Sequence, residues 1–385
     1  MFATSTLYLS KPALRENVRF IRDMLGETTA LVSVLKGNAY GHGITRFAPL
    51  AEECGVNAFA VFDAQEALTL QAATKSESRV IVMGMIDDAG IEWAIEHGVE
   101  FFVFDPTRLE TAARLAREVG KPARVHVELE TGMNRTGFDE KQLDYLRDFF
   151  ERFGDVVSLE GLCTHYAGAE SVANHVRVVG QIDRFAKMKN ILHAEGVRPK
   201  TCHTACSAAA ISYPQTRMDL ARIGILQYGF WPSPETKIHH LVDQEEHERE
   251  DPLRRVLSWR SRVMSIKRVK VGEFVGYGSH YLAQKSMTIA IVPVGYSHGF
   301  SRSLTNQGRV LLRGVRAPVV GVVNMNALTI DATEIPDAQI GDEAVLIGKQ
   351  GDLEISVHSF AEFSDQLNYE LLTRLPTNIP RVVEE

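Results

Sequence analysis

The chain has 385 residues, 45% of them hydrophobic, and a formal net charge of −7 with no basic cluster. That is enough apolar material for one large and one smaller packed core, and it gives nucleic acid or an anionic membrane surface nothing to hold, so a small-molecule ligand is expected. No window approaches the roughly 18 apolar residues of a spanning helix, and the N-terminus lacks a basic segment followed by a long apolar one. The four cysteines, Cys54, Cys163, Cys202 and Cys206, show no CxxC spacing, so the expectation is a cytoplasmic protein with free thiols.

In chain order, the first informative stretch is Leu31–Gly43, LVSVLKGNAYGHG. Apolar or small residues run straight into Lys36, and Asn38, Gly41 and Gly43 then break the pattern, which places the lysine at the carboxyl end of a buried strand. Two readings stay open. Lys36 either snorkels from the strand end, its stem covering apolar surface, or is a desolvated amine of lowered pKa able to form a Schiff base with a carbonyl group.

From there short apolar runs alternate with amphipathic segments. Asn57–Phe62, Arg79–Gly84, Glu100–Phe104, Arg124–Glu130, Leu159–Tyr166, Thr201–Cys206 and Ala221–Tyr228 follow Ala30–Lys36 as eight candidate strands. Ala64–Ala73, Pro106–Val119, Glu140–Phe153 and His175–Glu195 supply helices between them. Such alternation implies a parallel sheet, and eight units imply closure as a (β/α)8 TIM barrel. Polar residues recur where these strands should end: Lys36, Arg135, His165, His203 with Ser207, and Arg222. In a barrel those ends form the active-site mouth.

Glu235–Arg255 breaks the pattern with dense charge and reads as a linker or surface excursion. Its histidines His239, His240 and His247 read as a solvated loop without an apolar shell, and no metal is expected. From Val256 strands follow without helices: Arg260–Val269, Val275–Tyr277, Met287–Val294, Arg309–Leu312, Ala317–Val323 and Glu343–Ile347. The expected organisation is α/β: a barrel domain over 1–244 and a C-terminal all-β domain over 245–385, an antiparallel sandwich or barrel that a strand from the extreme N-terminus can join.

Other residues carry paired readings. Gly224 is a turn glycine or a point where backbone amides approach a phosphate at the lip of the last strand. Ser207 is a helix N-cap before AAAI or, with Tyr40, a hydroxyl donor to the same group. Arg222 partners a strand-end carboxylate, or faces a pyridine nitrogen to which a guanidinium donates without yielding its proton. His165 and His203 are satisfied core histidines or site residues. Tyr277 sits between Gly276 and Gly278, which costs strand order and exposes the phenol. As a base it would need nearby positive charge to bring its pKa below about 10.

Together these stretches resemble the alanine racemases over nearly the whole chain, from KGNAYGHG through ETGMNRTGF, THYA, HTACSAAA, ARIGILQYG, GYGSHY, VPVGYSHGF and GVVNMN to NYELLTRL. The resemblance implies a pyridoxal 5′-phosphate enzyme in which Lys36 holds the cofactor as a Schiff base and is one of two catalytic bases. Tyr277, from the partner subunit of a head-to-tail homodimer, would be the other. It implies that His165 hydrogen-bonds Tyr277, that Arg222 faces the pyridine nitrogen and that His203 supports Arg222. Tyr40, Ser207, Gly224, Ile225 and Tyr369 match its phosphate-binding positions. Arg135 matches a position near the cofactor's phenolic oxygen and the substrate, and Tyr296 and Met325 match substrate-pocket positions supplied by the partner subunit. The expected reaction is racemisation of L-alanine to D-alanine.

The chain also departs from the family. Glu128 stands where many members carry a lysine that becomes carbamylated, His298 and Asn326 where aspartates are usual, Val322 for an arginine, Glu170 for an entrance aspartate, and Cys206 for the asparagine before Ser207. These changes leave the reaction type intact and open the side-chain range. The alternatives are a racemase for serine, a larger side chain or a broader set, a decarboxylase of the same fold group, and a non-catalytic pyridoxal-phosphate carrier. The last is a single barrel, and the β-domain argues against it.

Overall fold

The computed structural model describes residues 3–75, 77–242, 250–364 and 368–385. The chain forms two compact units, one of Ala13–Gly37 with Ala48–Arg254 and the other of residues 1–12 with Asn38–Phe47 and Arg255–Glu385.

Strand β1 (Ser5–Ser10) belongs to the second unit, whereas the first is built on β2 (Ala30–Val34), β3 (Ala58–Val61), β4 (Arg79–Val82), β5 (Glu100–Val103), β6 (Ala123–Glu128), β7 (Val157–Cys163), β8 (Thr201–His203) and β9 (Leu220–Ile223). They form one parallel eight-stranded sheet in the order β8-β7-β6-β5-β4-β3-β2-β9. The two ends meet: Asp219 N donates to Cys202 O at 3.1 Å and Arg222 N to Ala205 O at 3.0 Å, so the expected barrel closes. Strands β3, β5 and β9 are buried at every position, as parallel strands covered on both faces must be.

The connections repeat one local logic. Asp63, Asp87 and Asp105 each cap the helix that follows by accepting a backbone N–H, from Glu66, Gly90 and Arg108. These caps satisfy N–H groups that a helix start leaves unpaired. Gly98 and Gly120 close two of those helices at φ 69° and 74°, a conformation that favours glycine. Helices Ala64–Ala73 and Pro106–Val119 run over the residues expected from the sequence.

In the second unit, β10 (Leu257–Arg262), β13 (Arg309–Leu312), β14 (Val315–Pro318), β16 (Glu343–Gln350), β17 (Leu353–Ile355) and β18 (Arg381–Glu384) join β1 in a seven-stranded sheet. A three-stranded sheet holds β11 (Ser265–Val269), β12 (Met287–Val292) and β15 (Leu328–Asp331). Pairing is antiparallel apart from β1 with β18. Trp259 and Phe300, both under 2% exposed, anchor the core with ring centroids 6.3 Å apart. Short helices Val357–Ser364 and Asn368–Thr373 follow β17.

Three expectations need correction. Arg260–Val269 is two strands, because the chain switches sheets at Val263 and Met264, whose N–H groups bond Asp342 O and Ile291 O. Val275–Tyr277 is a loop closed by the Phe274–Leu282 bridge. The excursion at Glu235–Arg255 begins with a helix, Pro234–Val242, whose His240 ring packs 5.1 Å from Phe20 and 5.3 Å from Trp231, giving that histidine an aromatic shell. His239 is exposed, and His247 lies outside the described residues.

Candidate active site

The carboxyl ends of the barrel strands form the mouth. Lys36 follows β2 and opens a one-turn segment, Lys36–Tyr40. Its backbone is unusual: φ is positive at Gly37, Asn38, Ala39, Tyr40 and Gly41. A left-handed L-residue costs roughly 1–2 kcal/mol, so this turn needs support. Gly43 N bonds Asn38 O at 2.9 Å, and Arg381 bonds Gly41 O at 2.9 Å. Gly41 must be glycine, since a Cβ would lie 1.8 Å from Leu372 O.

Lys36 is open to solvent, and among the described residues its Nζ has no hydrogen bond. Crowding by protein lowers its pKa, the charge of Arg135 lowers it further, and Cys206 and Glu66 oppose the shift. A larger fraction of the amine is therefore uncharged and nucleophilic.

Arg135 is exposed on the loop between Leu129 and Phe138, which pair at its base. Beside it Glu128 is buried, accepts from Thr136 Oγ1 at 2.6 Å, and has its pKa raised by burial against the pull of Thr136, Arg135 and Arg222. His165 follows β7, and its pKa falls to about 3, first through burial and then through Arg222, Arg135 and Lys36. It is a neutral imidazole whose ring has no hydrogen bond among the described residues.

Arg222, on β9, is 6% exposed. Its Nη1 bonds His203 O at 2.8 Å and also meets His203 Nδ1, while Nη2 bonds Thr164 O at 2.8 Å. No carboxylate pairs with it among the described residues, against the ion-pair reading. Gly224 N donates to Ser207 Oγ at 3.0 Å, which leaves the hydroxyl hydrogen free to meet an anion beside Ile225. Ser207 is thus not the cap of its helix; Cys206 holds that position.

The barrel unit brings Lys36, Arg135, His165, His203, Ser207, Arg222, Gly224 and Ile225 together. The other expected residues belong to the second unit. There Tyr40 and Tyr369 have ring centroids 6.0 Å apart. The loops of Tyr296 and Met325 are hydrogen-bonded together, Tyr296 N to Asn324 O and Ser297 N to Met325 O, both at 3.0 Å. Asn326 Nδ2 adds a bond to Ser297 Oγ at 2.9 Å. Tyr277 is 74% exposed between Gly276 (φ 75°) and Gly278 (φ 66°).

Sequence reasoning passed over Glu100 and His126. Both stand inside apolar runs, EFFVF and RVHVELE, where a fully buried ionisable group was the available signal.

A closed barrel whose mouth holds a lysine and a guanidinium without a carboxylate partner among the described residues, together with a separate strand domain, has the architecture of a barrel-class enzyme. Residues 9–232 match the family profile "Alanine racemase, N-terminal domain", and residues 256–383 match "Alanine racemase, C-terminal domain". An alanine racemase from Leptospira interrogans serovar copenhageni is 31% identical over 99% of this chain and 96% of its own. The alanine racemase structure from Streptomyces coelicolor A3(2) superposes with a TM-score of 0.88 at 30% identity, covering 99% of this chain and 98% of that one. The Bacillus anthracis alanine racemase with bound L-Ala-P gives 0.88 at 31% identity, covering 100% and 96%. The chain belongs to the alanine racemase family and is an enzyme of the isomerase class.

Proposed function

We propose that this protein racemises alanine with pyridoxal 5′-phosphate as cofactor, in a homodimer whose subunits complete each other's sites. Lys36 is the observation that carries the reading: an amine of lowered pKa, with no hydrogen bond among the described residues, amid Arg135, Arg222 and a neutral His165. The residues present fit the cofactor. Lys36 would hold its carbonyl carbon, Ser207 and Gly224 with Ile225, Tyr40 and Tyr369 its phosphate, and Arg222 its ring nitrogen. When bound, the cofactor withdraws electrons from the substrate's Cα and acidifies the α-proton.

The chain's own groups do the rest. Inversion needs an acid/base group on each face of a planar carbon. Lys36 Nζ takes or returns the proton on one face, and Tyr277 Oη of the partner subunit does so on the other. The exposure of Tyr277 and the unbonded neutral ring of His165 support that exchange, with His165 holding the phenol by a hydrogen bond. Arg222 would face the ring nitrogen as a donor, and because a guanidinium keeps its proton it would leave that nitrogen unprotonated, disfavouring transamination. Arg135 borders the substrate on one side, and Tyr296 and Met325 of the partner subunit border it on the other. Free thiols at Cys163, Cys202 and Cys206 accord with a cytosolic setting.

The test is a panel of L-amino acids assayed for their D-forms, with alanine expected fastest. Cofactor binding without turnover of any amino acid would favour a carrier instead. The neutral Asn326–Ser297 bond, at a position where the family usually has an aspartate, favours a second reading in which the side-chain range is broader. The same panel decides between them.

A further inference from the structure

We propose that Glu100 and His126 are positioning residues for Arg222, acting by fixing which nitrogen of His126 and of His203 carries the proton. The inference rests on the reading that Arg222 faces the cofactor's ring nitrogen.

The donors and acceptors allow one assignment. A guanidinium has only donors, so His203 Nδ1, which meets Arg222 Nη1, must accept. The His203 proton then sits on Nε2, 2.8 Å from His126 Nδ1, which accepts in turn. The His126 proton sits on Nε2 and is donated to Glu100 Oε2 at 2.7 Å. Each bond points from the mouth toward the floor, where a carboxylate ends the series. Reversing either ring would set two N–H groups or two lone pairs against each other. Arg79, at 2.6 and 2.8 Å, and Arg124, at 2.6 Å, keep Glu100 in place as an anion.

The surroundings are shaped around the two rings. Both histidines are 0% exposed, and Phe102 packs 5.5 Å from one and 5.8 Å from the other. Gly161 supplies the gap: a Cβ there would lie 2.1 Å from His126 Nδ1 and 2.7 Å from His203 Nε2. Burial, with Arg222 beside His203, holds both rings in the neutral form that the series requires. The guanidinium also donates to the main-chain carbonyls of His203, Thr164 and Thr204, and His203 Nδ1 is the side-chain acceptor it meets among the described residues.

The experiment compares wild type with Glu100→Gln, Glu100→Leu and Gly161→Ala, using 15N-histidine NMR with and without cofactor together with racemase kinetics. His126→Gln and His203→Gln assign the two signals. Wild type should show both rings neutral and protonated at Nε2. Glu100→Gln keeps an acceptor oxygen and should keep both tautomers, with kcat within about threefold. Glu100→Leu should lose the His126 pattern and lower kcat about 10- to 100-fold, the range for partners that orient a binding group, while KM changes less than about threefold. Gly161→Ala should do the same with Glu100 intact, so a Leu variant that fails to fold leaves the question decidable. An Nδ1–H signal from either ring in wild type overturns the proposal, as does a folded Leu or Ala variant with unchanged tautomers and kcat. A wild-type protein that racemises nothing overturns the proposed function instead, and the spectra still decide the proton positions.

Discussion

At the floor of the barrel, Glu100 accepts from Arg79, Arg124 and His126, and Glu160 accepts from Lys200, whereas at the mouth the side chains of Lys36, Arg135 and Arg222 gather without a carboxylate hydrogen-bonded to them among the described residues, Glu130 meeting only the Arg135 backbone N–H. Both regions are dense in ionisable groups. At the floor these carboxylates are paired with cations, which serves the fold; at the mouth burial first, and then the neighbouring cations, depress the lysine and keep His165 neutral, with Glu128 the buried carboxylate beside Arg135.

The sharpest way to break this contrast is at the mouth. Lys36→Ala should abolish covalent cofactor attachment, read from the visible absorption of the purified protein, and lower racemisation by about 10,000-fold. Tyr277→Phe should slow α-proton exchange from one enantiomer about 100-fold or more while sparing the other. Deuterium uptake from each enantiomer measures it, and equal loss in both directions would contradict the two-sided assignment.

The floor should respond through stability. Arg79→Met removes two hydrogen bonds from a carboxylate that stays buried and should lower unfolding free energy by up to about 3 kcal/mol, measured by urea denaturation. Burial pushes the Glu100 carboxyl up, but His126 and Arg79 outweigh it and hold the pKa at about 2, below the ordinary 4.5. Because the folded-state value is depressed, this stabilisation is present above pH 4.5 and is lost as the pH falls toward 2. Glu100→Gln should flatten that part of the stability profile. The smallest effect is expected at the mouth's rim: Glu128→Gln removes a carboxylate from beside Arg135 and should lower kcat/KM by about tenfold or less.

Much of this was visible before any coordinates. Helices Ala64–Ala73 and Pro106–Val119 show in the alternation of amphipathic segments with apolar runs, and Lys36 is conspicuous because an apolar run ends on it. The floor was hidden because its pairing depends on register. His126 stands opposite Gly161 and Phe102 across neighbouring strands, with a shift of register just before it, and Cys163 stands opposite His203. No spacing along the chain encodes such neighbours. The division of Arg260–Val269 was hidden for another reason: alternation continues through Trp259, Ser261 and Val263, so the corner between sheets leaves no break in the pattern.

The left-handed turn after Lys36 is tied down by Arg381, which is bonded to Gly41 O and to Pro376 O and Ile379 O. Gly41 lies 340 positions before Arg381. A polypeptide on the ribosome that has not yet reached Arg381 lacks the group that restrains this mirror-image bend, so the segment beside Lys36 acquires its settled shape only after the barrel strands have been made.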